Sequence, residues 1–65
     1  MDATTRKLIA EAYDETISEA LAQGRSGEIA HREGIVAGAM FLSSMTGIED
    51  AAAIAEVEKL GLTIQ

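Results

Sequence analysis

The stretch from Glu28 to Met45, EIAHREGIVAGAMFLSSM, leaves few folds open to this chain. Placed on a helix at about 100° per residue, Ala30, His31, Gly34, Ile35, Ala37, Gly38, Phe41, Leu42 and Met45 fall in one arc of roughly 160°. On the other side Ile29, Val36 and Met40 recur at i, i+7 and i+11 and make a second apolar stripe, interrupted by Arg32, Glu33, Ser43 and Ser44. A helix apolar nearly all round must be covered on both sides, by its own chain or by another copy. The stretch therefore reads as a central helix.

What precedes it reads as an amphipathic helix from about Ala3 to Gln23. Asp2, Thr4 and Thr5 can each cap its start, and Leu8, Ile9, Ala12, Tyr13, Thr16, Ile17, Ala20 and Leu21 form one stripe, with Lys7, Glu11, Asp14, Glu15 and Ser18 opposite. Gly24 is a left-handed stop, Ser26 caps the central helix, and Glu28 sits in its first turn, where the helix dipole favours a carboxylate. So short a turn makes the two helices an antiparallel hairpin.

The central helix is expected to end near Met45, where Thr46 and Glu49 have the spacing of a capping box and Gly47 that of a terminator. A third helix follows from about Ile48 to Leu60, packing through Ile48, Ala51, Ala52, Ile54 and Ala55, with Gly61 and Leu62 as its ending. The tail LTIQ is β-prone but has no strand partner and is expected to dock as coil. With no proline, repeat or linker, residues 1–65 read as a single small helical domain.

Size then bears on assembly. A chain of 65 residues buries only about 60% of the surface its unfolded form exposes, and small scaffolds usually need a disulfide, a metal or a partner subunit. There is no cysteine, so disulfides and thiolate zinc sites are excluded and oligomerisation is the commonest remedy left. Gly34 and Gly38, one turn apart beside Ala30 and Ala37, point the same way, since mid-helix glycine costs about 0.5–1 kcal/mol relative to alanine and close helix approach is the usual compensation. The expected fold is all-α: a helical hairpin plus a short third helix, dimerising into a core like that of a four-helix bundle. Gly34, Ile35, Gly38, Phe41, Leu42 and Met45 are the expected contact between copies; tight packing within one chain is the alternative use of the glycines.

The remaining features limit function. Eleven acidic against five scattered basic residues give a net charge of −6, which disfavours direct contact with nucleic acid or anionic lipid. No basic segment followed by an apolar one opens the chain as a secretory signal would, and the charge-free run from Gly34 to Ile48 is shorter than the ~20 residues that span a bilayer. A cytoplasmic protein is expected. His31, the only histidine, reads either as a side chain hydrogen-bonded to a neighbour, as a titrating switch, or, with Glu28 one turn before it, as half of the Glu-x-x-His pattern of di-iron bundles. Glu19, level with Glu28 near the edge of the first helix's stripe, is the one further candidate for an iron or manganese site. No base and nucleophile stand out, because a lone histidine and no cysteine leave only serines and threonines.

The leading expectation is thus a non-enzymatic, cofactor-free protein, a regulator or adaptor that acts by binding itself and another protein. In size the hairpin resembles small proteins of plasmids and phages. The alternatives are an acidic inhibitor of a nucleic-acid-binding protein, with Glu11, Asp14 and Glu15 on one face and Glu49, Asp50, Glu56 and Glu58 around the third helix, and a ferritin-like mini-bundle using Glu28 and His31 on metal.

Overall fold

In the computed structural model, which describes Met1–Ile64, three helices follow one another: α1 (Ala3–Ala22), α2 (Gly27–Thr46) and α3 (Asp50–Glu58). Each boundary has a local cause. Asp2 caps α1, its carboxylate accepting from the Thr5 amide at 2.7 Å. That bond holds the Asp2 carboxyl below its ordinary pKa. At the other end the Arg25 amide donates to the Ala20 carbonyl and the Gly24 amide to that of Leu21, both at 3.0 Å. This double closure needs a left-handed residue, and Gly24 at φ 87° is it.

Ser26 then caps α2, accepting from the Ile29 amide at 3.2 Å. Arg25, in the turn, pairs with Glu33 of α2 at 3.0 Å, and α2 runs back along α1 as the short turn requires. α2 ends at Thr46 on a left-handed Gly47. The expected capping box does not form: the Thr46 hydroxyl donates instead to the Leu42 carbonyl at 2.8 Å, and Glu49 precedes α3 without a side-chain cap. α3 is correspondingly shorter than Ile48 to Leu60.

Ile9, Tyr13, Ile17 and Ala20 of α1 meet Ala30, Ile35, Ala39 and Leu42 of α2, with Ala53 and Val57 of α3 closing the core. The buried stripe of α1 is narrower than the apolar pattern, since Leu8 and Leu21 at its edges stay exposed. On α3 the expected face is corrected. Ala53 and Val57 point inward, Ala51, Ala52 and Ala55 outward, and Ile48 and Ile54 are half-buried. A nine-residue helix this rich in alanine has weak periodicity, and its rotation is the one that buries Val57 against Gly38. After Gly61 the tail carries no helix or strand through Ile64; Gln65 lies outside the described residues.

The glycines of α2 serve this core. A β-carbon on Gly34 would lie 2.7 Å from Cδ2 of Tyr13 and 3.0 Å from Cγ1 of Ile17, and one on Gly38 3.0 Å from Cγ2 of Ile9. Among the described residues no helix is long and apolar enough to cross a membrane.

Candidate interaction surface

The one histidine has an intrachain partner. Tyr13 is fully buried, and a buried phenol needs a hydrogen-bonding group. Its hydroxyl lies 2.5 Å from Nδ1 of His31, donating to that nitrogen when the neutral ring carries its proton on Nε2. The rings meet edge to face with centroids 5.5 Å apart. Burial, helped by the charge of Asp14, pushes the Tyr13 pKa above its ordinary value. The contact spans 18 residues and ties α1 to α2 beside Gly34.

In that tautomer the bond engages the lone pair of Nδ1. Glu28 leans towards Arg32 at 3.6 Å, and Glu19 lines a separate hollow with Thr16, Ala20, Gln23 and Glu33, whereas Glu28 and His31 line one with Arg32, Val36, Ile54 and Glu58. The structure does not bring Glu19, Glu28 and His31 together. Among the described residues no group of three or more histidines, cysteines or carboxylates is placed to hold a metal ion.

Of the six residues expected between copies, Gly34, Ile35, Gly38 and Leu42 are buried within this chain, Phe41 is half-buried against its core, and Met45 stands exposed near the end of α2. Burial of these glycines has its cause in Tyr13, Ile17, Ile9 and Val57 of the same chain.

What the chain leaves open is the second stripe of α2. Ile29 is 47% exposed, Val36 41% and Met40 64%. Beside it runs a groove between α2 and α3, formed by two hollows that share Val36 and Ile54. One, of about 380 Å³, has Ala39 and Met40 on its floor and Ser43, Ser44 and Asp50 at its rim. The other, of about 390 Å³, ends on Glu28, Arg32 and Glu58. Ser43 fixes the first end by donating to the Ile48 carbonyl at 2.7 Å and to Asp50 at 3.3 Å.

No family model, curated protein or solved structure matches the chain.

Sequence periodicity marks the stripe but not the groove. Ile54, Ala39 and Asp50 join it only because α3 folds back on α2 with Val57 inward, a rotation that the alanine-rich pattern leaves undefined.

Proposed function

We propose that this chain is a non-enzymatic interaction protein, a regulator or adaptor whose first partner is a second copy of itself. The observation that carries this reading is the uncovered stripe Ile29, Val36 and Met40 on the central helix. The contact surface accordingly moves from the Gly34 and Gly38 face to the opposite side of α2. A standard interface removes about 800 Å² from each partner, roughly a fifth of the 4206 Å² this chain presents. Two hairpins joined through α2 would place four long helices together, as in a bundle. Three hydroxyls serve the backbone at the ends of α2: Ser26 accepts from the Ile29 amide, Ser43 donates to the Ile48 carbonyl and Thr46 to that of Leu42.

Light scattering behind a sizing column tests it. The wild-type protein should run as a dimer at micromolar concentration, and Met40→Lys, which places a charge in the stripe, as a monomer of unchanged helix content. A wild-type monomer at these concentrations would sink the reading.

A second reading is an acidic inhibitor of a nucleic-acid-binding protein. It is favoured by Glu11, Asp14 and Glu15, all exposed along the outer side of α1 and in no ion pair among the described residues. Reversing those three to lysine would abolish such inhibition and leave a dimer formed through α2 intact.

A further inference from the structure

The stripe and the groove are one continuous surface, since Val36 and Met40 belong to both. Resting on the reading that this surface is where the chain makes its contacts, we infer that the groove between α2 and α3 receives a cationic amphipathic helix of another protein, which takes the place of the second copy.

The floor selects a helix. Val36, Ala39 and Met40 of α2 and Ile54 of α3 line it, and Met40, the most exposed of them at 64%, is an unbranched side chain that adapts to what it meets. A channel between two helices suits a third, whose apolar residues at i, i+3, i+4 and i+7 enter it as a row. Among the described residues there is no strand, so no sheet edge is on offer to an extended partner.

The rim selects the partner's charge. Asp50, Glu28 and Glu58 line the two hollows against one cation, Arg32. Arg32 already lies 3.6 Å from Glu28, whereas Asp50 and Glu58 are exposed and in no ion pair among the described residues. They are the first and last residues of α3, so about 12 Å separates them along its axis at about 1.5 Å of rise per residue. A helix lying along α3 carries residues seven apart on one edge, and the long stems of lysine or arginine cover the remaining distance. A second copy can cover the floor, but it brings its own net charge of −6 to these carboxylates. A cationic helix brings the opposite charge.

The probe is a fluorescein-labelled amphipathic peptide of about 16 residues, long enough to form a helix. It has leucine at i, i+3, i+4 and i+7 and lysine along the edges of that face, and a twin carries glutamate in place of lysine. Fluorescence anisotropy at about 0.15 M salt, where exposed charges reach only about 8 Å, reads the binding. The lysine peptide should bind at micromolar concentration and at least about tenfold more tightly than its twin, because like charges set against each other are penalised. Asp50→Asn with Glu58→Gln should weaken it about fivefold or more. Glu11→Gln with Glu15→Gln removes the same charge from the outer side of α1 and should change it less than about twofold. Met40→Lys should abolish it at unchanged helix content, and light scattering of the wild-type mixture should show one chain with one peptide.

Equal binding of the two peptides, or equal losses in the two double variants, would leave only apolar contact or bulk charge and overturn the inference. A bound peptide on a complex that still holds two chains would place it outside the shared surface and overturn it too. No binding, in protein that scatters light as a dimer, overturns the inference while leaving self-association standing. A wild-type monomer that binds the lysine peptide with these preferences removes the second copy and supports the assignment of the groove.

Discussion

Gly34 faces the ring of Tyr13 so closely that a β-carbon there would sit 2.7 Å from Cδ2 and 2.9 Å from Cε2. The ring cannot swing aside without breaking its bond to His31, and Tyr13 is fully buried. Gly34→Ala should therefore destabilise the fold by about 1–3 kcal/mol through overpacking, even after the better helix propensity of alanine is counted. At Gly38 the nearest atom is Cγ2 of Ile9 at 3.0 Å, a methyl group that can shift by tenths of an ångström. Gly38→Ala should stay within about 1 kcal/mol of the wild type, because the propensity gain of similar size offsets the tighter contact. Urea unfolding of the two variants checks the order, and equal losses would show that the ring does not set the helix spacing.

The difference between these two glycines was not legible in the sequence, where both invite one explanation, close approach of a second helix. Which helix approaches depends on Tyr13 and Ile9, 21 and 29 residues upstream. By contrast the ends of α1 and the start of α2 were legible from a few neighbouring residues. Asp2, Gly24 and Ser26 act through bonds to amides and carbonyls within five residues, so local chemistry decides them. The Thr46 and Glu49 spacing looked equally local and failed, since Thr46 found the Leu42 carbonyl of its own helix first. The candidate surface was half legible. The stripe Ile29, Val36 and Met40 follows from periodicity, whereas its companion groove depends on the rotation of α3, and three alanines in a row specify no rotation.

Tyr13 gives the fold a dependence on alkaline pH. Its pKa in the folded chain lies above the ordinary 10.0, chiefly because burial disfavours the phenolate. A group whose pKa rises on folding contributes stability that is fully present below the unfolded value and is lost as pH rises through the folded one. Tyr13→Phe removes both the ionisable phenol and the bond to His31, which is worth about 0.5–1.5 kcal/mol. The wild type should be the more stable by that amount at pH 7, and its advantage should shrink as the pH passes 10. Chemical denaturation of both proteins from pH 7 to pH 11 reads the crossing, and a constant difference would mean that the phenol ionises equally easily folded and unfolded.

α3 begins without the side-chain cap that α1 and α2 have. Glu49 has the extended backbone of a cap, φ −71° and ψ 158°, but its side chain makes no bond to the amides of the first turn. Serine in that conformation accepts such a bond, and the gain from a good cap is about 0.5–2 kcal/mol. Glu49→Ser should raise the stability of the whole chain, since Val57 of α3 is fully buried in the common core. Hydrogen exchange should slow most at the first turn of α3. Slowing spread evenly over α1 and α2 alone would show that the substitution acts elsewhere.

The acidic surface opposes any pairing of copies, and its reach can be measured. Reversing Glu11, Asp14 and Glu15 to lysine adds two charges at each of three positions, which takes the net charge from −6 to zero. These residues are exposed on the side of α1 turned away from α2, so the folded monomer should change in stability by no more than about 0.5 kcal/mol. The proposed self-association through α2 would feel them only across the thickness of the chain, whose shorter dimensions are 21 and 17 Å. Charge is screened within about 10 Å at 0.1 M salt but acts over about 30 Å at 0.01 M. The triple variant should dimerise more tightly than the wild type at 0.01 M salt and equally at 0.15 M. Dissociation constants from sedimentation at the two salt concentrations test this. A difference that persists at the higher salt would place Glu11, Asp14 and Glu15 close to the contact itself, on α1 rather than behind it.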